Sequence, residues 1–166
     1  MRKRIIAVDP GARHCGVTIF HGSDIMVSMV RNFQAKAYKD RIKEVRKVFL
    51  SFMGNYAPSV IVIEKPFFFW SERSKYLTGV VNEIKRLSKN AGMEIYEYSP
   101  RTVRKAICDD GNATKQDEAK VVYSAYPELK IYLKQDKKYK EIYWGHMFDS
   151  VGLGICYLRQ RHGKSV

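Results

Sequence analysis

Two carboxylates close hydrophobic runs in this chain, and a third stands one helical turn after a histidine. The runs are Ile5-Ile6-Ala7-Val8-Asp9 and Val60-Ile61-Val62-Ile63-Glu64; the third group is His146-Met147-Phe148-Asp149. An apolar, β-branched run closed by an acid reads as a buried strand with a polar end. A histidine and an aspartate three residues apart share one face of a helix. Carboxylates converging from separate elements are hard oxygen donors for Mg²⁺, which takes one or two of them together with water and phosphate oxygens. Two such ions stabilise the attacking and leaving oxygens of a phosphodiester. The chemistry indicated is metal-dependent phosphodiester hydrolysis. Asp9, Glu64, His146 and Asp149 are its candidate metal ligands and catalytic groups, with His146 either a nitrogen ligand or a group that positions water.

Each residue also has a plainer reading. Asp9, followed by Pro10 and Gly11, is the composition of a turn. Glu64 is compatible with a structural salt bridge. His146 and Asp149 near a helix start are compatible with capping or with interaction with the helix dipole. The combination is more specific than its parts, and it occurs in a strongly basic chain. Thirty Lys+Arg against seventeen Asp+Glu give +13 over 166 residues, with a pI near 9.7. Such an excess favours a polyanionic partner, with solubility alone as the simpler explanation. No apolar stretch reaches the roughly 18–20 residues needed to span a bilayer. No basic amphipathic helix with a Trp or Leu face is present, so a membrane partner is not expected. Cys15, Cys108 and Cys156 lack zinc-site spacing, and Cys108 and Cys156 fall in apolar helical patterns. Free core thiols and the absence of a signal-like start predict a reducing, cytoplasmic setting.

The elements that must position these groups follow from periodicity. Residues 4–9 predict a strand, Val17–Phe20 begin a second, and Ile25–Val30 form a third after a His21-Gly22-Ser23-Asp24 hairpin connection. Ile42, Val45, Phe49 and Phe52 mark one face of a helix. Val60–Ile63 read as a strand buried on both faces. Leu77, Val80, Val81, Ile84 and Leu87 mark a second helix, stopped at Asn90-Ala91-Gly92. Met93–Tyr98 predict a last strand. Helices are expected over Arg101–Cys108, Thr114–Ala125 and about Trp144 to Gln160, with a basic segment at Lys130–Tyr143. The result is one α/β domain, a five-stranded mixed sheet flanked by helices. Asp9 and Glu64 then lie at the C-terminal strand ends, where such sheets place ligands.

With these residues in place, the chain resembles the RuvC-type Holliday junction resolvases of the ribonuclease H-like superfamily. The resemblance rests on Ile5-Ile6-Ala7-Val8-Asp9-Pro10-Gly11, Ile63-Glu64 and His146-x-x-Asp149, and covers nearly the whole chain. It implies a Mg²⁺-dependent homodimer, with two ions per site and Mn²⁺ as a substitute, that nicks two strands of a four-way junction symmetrically. A branch-migration motor is a candidate partner. The resemblance also implies a junction-stacking aromatic at Phe67, a basic residue approaching the scissile phosphate at Lys115, and another basic, DNA-contacting residue at Arg104. Thr78-Gly79-Val80-Val81-Asn82-Glu83 keeps only the first glycine of the segment that bacterial members carry in this helix. A divergent phage or plasmid-borne relative would fit.

Aromatic and basic residues near these positions supply the expected DNA surface. Phe67 and Phe68, in Pro66-Phe67-Phe68-Phe69-Trp70, are candidates for stacking on unpaired bases, with a core flap or dimer contact as the alternative. Arg73, Lys75, Arg101, Arg104 and Lys105 are candidate DNA-binding residues, the last three as phosphate contacts beside Lys115. Lys115 itself is a candidate catalytic cation, or else a solvated helix-start lysine. Lys134, Lys137, Lys138 and Lys140 form a basic patch. Tyr76 and Val80 are the candidates for a dimer face. A Holliday junction nuclease is the leading reading. A broader branched-DNA endonuclease, a non-catalytic nucleic-acid-binding relative and a ribonuclease H remain as alternatives.

Overall fold

In the computed structural model, residues 2–66, 72–134 and 144–162 are described. Three antiparallel strands open the chain: β1 (Arg4–Asp9), β2 (His14–His21) and β3 (Asp24–Asn32). Gly22 turns the β2–β3 hairpin at φ 64°, a conformation glycine adopts without penalty. Then come α1 (Tyr38–Tyr56), β4 (Val60–Glu64), α2 (Glu72–Asn90) and β5 (Glu94–Tyr98). Next are α3 (Pro100–Cys108), α4 (Lys115–Ala125), a 3₁₀ helix (Pro127–Lys134) and α5 (Gly145–His162). The five strands form one sheet in the order β3-β2-β1-β4-β5. β4 runs parallel to β1 and β5 parallel to β4, as expected for strands joined through helices.

Strand alternation divides the interior into two cores. Ile6, Val8, Val17, Ile19, Ile61 and Ile63 pack against α1 and α2 through Val45, Phe49, Val80 and Ile84. Ile5, Ala7, Phe20, Val60 and Val62 pack against α3, α4 and α5 through Val103, Ile107, Val122, Met147, Val151 and Ile155. Asp9 continues the Ile5–Ala7 parity and Glu64 continues Val60–Val62. Both therefore point to the α3–α5 face.

Three expectations need correction. Ile42 is only half-buried; the buried polar position beside it is Arg41. Arg41 donates from Nε and Nη2 to the carbonyl of Ala35 at 2.9 and 2.6 Å, and from Nη1 to that of Ala12 at 3.1 Å. Its guanidinium also lies over the Tyr76 ring, so one cation ties the loop after β1 to the loop after β3. Of the candidate dimer residues, Val80 is fully buried and so does not line an outer face, while Tyr76 stays half-buried, donating to the carbonyl of Lys36 and stacking edge-on with Tyr38. The core claims the apolar stripe of α2 first. Finally, β2 begins at His14 and β3 extends to Asn32, because the hairpin ladder continues past the apolar residues that marked it.

Candidate active site

Parallel register brings the first two carboxylates side by side. Val8 of β1 faces Ile63 of β4, so the next residues, Asp9 and Glu64, emerge together from adjacent strand ends. The third comes from α5, which lies across β2 and β1. A close backbone approach allows this: a Cβ on Gly16 would collide with the carbonyl of His146, and one on Gly154 with the ring of Phe20. A buried hydroxyl chain fixes the helix in register. Thr18 of β2 hydrogen-bonds Ser28 of β3 at 2.8 Å and Ser150 of α5 at 2.7 Å, and Ser150 donates to the carbonyl of Met147. Ser150 is the neighbour of Asp149, so this chain locates the third carboxylate. Nothing in the sequence marks Thr18 or Ser150, since isolated hydroxyls in strands and helices are common.

Two basic side chains meet the carboxylates from inside the chain. His146 Nδ1 contacts Asp9 Oδ2, and Lys115 Nζ donates to Asp149 Oδ2 at 2.8 Å. Lys115 is the first residue of α4, set by a capping box in which Thr114 Oγ1 accepts from the Asp117 amide and Asp117 accepts from the Thr114 amide. A lysine there opposes the helix dipole. Asp149 compensates it, and the lysine side chain remains 68% exposed against 13% for the aspartate.

The electrostatics report crowding of negative charge. Burial, followed by Asp9, Asp149 and Glu118, pushes the Glu64 carboxyl up to about 8, with Lys115 opposing. Burial also raises the Asp9 carboxyl, although its hydrogen bond from His146 works the other way. That hydrogen bond raises His146 against the effect of its burial. Lys115 is raised too: burial opposes its charge, but Asp149, Asp9 and Glu64 outweigh it. Crowded, largely buried, hard oxygen donors of this kind fit a divalent cation. Among the described residues, no three His, Cys, Asp or Glu side chains are already closed into a metal cage. The fold delivers a carboxylate cluster, offset in part from within by Lys115 and by the His146–Asp9 hydrogen bond.

Of the candidate DNA-binding residues, Lys75, Arg101 and Lys105 are exposed on α2 and α3. Arg104 turns toward Glu118 of α4 instead. Phe67, Phe68, Lys137, Lys138 and Lys140, and the side chains of Arg73 and Lys134, lie outside the described residues. Glu118, buried between α3 and α5, is a carboxylate that the sequence did not mark; burial and then Asp149 push it up to about 7.

Residues 5–136 match the family model described as crossover junction endodeoxyribonuclease RuvC. Among curated proteins of that name, the one from Myxococcus xanthus is 24% identical over 168 residues, covering 98% of this chain and 82% of the relative. The one from Prosthecochloris aestuarii is 28% identical, covering 93% and 80%. The fold is that of Thermus thermophilus RuvC, with a TM-score of 0.75, 19% identity and 96% of each chain covered. A second structure of the T. thermophilus protein, in complex with a Holliday junction substrate, also superposes at 0.75, with 17% identity over 97% and 96%. The yeast mitochondrial Holliday junction resolvase superposes at 0.67, with 13% identity over 97% and 82%. The family match ends before His146 and Asp149, but the fold carries both to the same strand ends as Asp9 and Glu64. The chain belongs to the RuvC family of crossover junction endodeoxyribonucleases.

Proposed function

We propose that this protein resolves Holliday junctions by Mg²⁺-dependent hydrolysis, acting as a homodimer that makes paired nicks. One observation carries the reading: Asp9, Glu64 and Asp149 converge from two strand ends and a helix in a chain of charge +13. Asp9, Glu64, His146 and Asp149 would hold the cation. When bound, it supplies Lewis acidity toward the phosphate and lowers the pKa of a coordinated water.

The chain's own groups do the rest. Asp9 and Glu64 sit on neighbouring central strands, so their separation is fixed by sheet register and not by loop geometry. Lys115 is charged and mostly exposed, so its ammonium can leave Asp149 for a phosphate oxygen and stabilise charge developing in the transition state. His146 stands beside Asp9 with its pKa raised by that hydrogen bond, where it can orient the water or move a proton. Arg101 and Lys105 lie exposed on α3 and suit backbone phosphates, which position a duplex without selecting sequence. A four-way junction has twofold symmetry, which a C2 dimer matches with two equivalent sites.

Cleavage of four-way, three-way, forked and linear DNA with Mg²⁺ or Mn²⁺ tests the proposal. Asp9→Asn and Glu64→Gln should each lower four-way junction cleavage on the order of a thousandfold, while junction binding persists. Retained Mg²⁺-dependent cleavage in both variants would remove these residues from the mechanism. Equal rates on all branched forms would favour the broader branched-DNA endonuclease.

A further inference from the structure

The hydrolysis proposed above makes no use of Glu118. This residue lies one turn after Lys115 on α4, and its carboxylate is enclosed between α3 and α5. Gly152, one turn after Asp149 on α5, makes the space: a Cβ there would stand 2.7 Å from Oε1 of Glu118. The other oxygen, Oε2, faces Nε of Arg104 at 3.6 Å, with the two side chains 7% and 26% exposed. That separation is an ion pair but too long for a hydrogen bond. The buried Nε of Arg104 has no hydrogen-bond partner among the described residues. A buried donor without an acceptor is costly, so the guanidinium gains from a better acceptor within reach. Its own helix also presents the exposed Arg101 and Lys105. A phosphate oxygen is such an acceptor, and guanidinium binds phosphate in a bidentate fork.

We propose that Glu118 sets the affinity of this protein for DNA: it holds Arg104 back in the free enzyme, and a backbone phosphate draws the guanidinium off. The proposal rests on the DNA-nuclease reading above. Glu118 is thus an internal competitor for the phosphate backbone.

The test is binding of a labelled four-way junction in Ca²⁺, followed by fluorescence anisotropy across a salt series. Wild type, Glu118→Gln, Arg104→Gln and the double variant are compared, with circular dichroism melts to confirm folding. Glu118→Gln should bind about fivefold tighter at moderate salt. Arg104→Gln should make the log–log salt slope shallower by about 0.9, the loss of one phosphate contact. The double variant should match Arg104→Gln. Unchanged affinity in Glu118→Gln would overturn the proposal. So would an unchanged slope in Arg104→Gln, which stays decisive if Glu118→Gln fails to fold. A gain that survives in the double variant would also overturn it, since that gain would come from generic charge removal. Failure of the wild type to bind any branched DNA would instead strike the nuclease reading itself.

Discussion

At the scale of single residues, the site is a set of carboxylates that resist ionising together. Glu64 is held up to about 8 and Glu118 to about 7, against an ordinary value of 4.5. Between the ordinary and raised values, the folded chain retains protons that the unfolded chain has released. Stability therefore falls as pH rises through that window. His146 adds to the same trend: its pKa is raised in the fold, so its contribution is full below the unfolded value of 6.5 and is lost as pH rises through the folded one. In the absence of divalent cations, the melting temperature should drop by several degrees between pH 5.5 and 8.5, and Glu64→Gln should flatten the drop. Scanning calorimetry in a chelating buffer checks this; a melting temperature that rises across the interval would contradict the crowding of charge. Glu64, like Asp9, stood out in the sequence because an acid closing a β-branched run is uncommon, whereas Glu118 sits on a helix without such a mark. Internal pairings could not be read there, since Lys115 and Asp149 are 34 positions apart and only the fold brings them together.

At the scale of elements, the site depends on how closely α5 approaches the sheet. The strands and helices were legible because each repeats its apolar residues with its own period, as Val60–Ile63 and Val80–Ile84–Leu87 do. Polar groups that bind one element to another carry no period, and this explains why Arg41, Thr18, Ser150 and Glu118 went unmarked. The same holds for Gly16, whose importance lies in what would touch a Cβ there. Gly16→Ala places a methyl group against the carbonyl of His146, so α5 must shift away from β2. The expected result is loss of the His146–Asp9 contact, with junction cleavage reduced by about a hundredfold or more, since small misplacements of catalytic groups are that damaging. Thermal stability should also fall by about 1–3 kcal/mol. Wild-type cleavage by a folded Gly16→Ala protein would show that α5 need not be seated so closely.

At the scale of the whole molecule, a carboxylate cluster sits within a chain of charge +13. The excess of basic residues draws a polyanion to the surface by counterion release, and the carboxylate cluster then meets its backbone. The sheet order has a further consequence, for how the molecule opens. β1 lies in the middle of the five strands with β4 beside it, and their apolar residues are almost wholly shielded from water. α4 instead packs mainly against α3, α5 and the 3₁₀ helix. Backbone amides of β1 and β4 should thus exchange with deuterium at the global unfolding limit, while those of α4 exchange through smaller, more frequent openings. Native-state exchange read by NMR would show this ordering; equal protection of α4 and β1 would refute it. Asp9 and Glu64 are then carried by the last part of the protein to open, and Lys115 by one of the first. Transient openings would disarm the enzyme by withdrawing its lysine, long before they disturbed the carboxylates themselves.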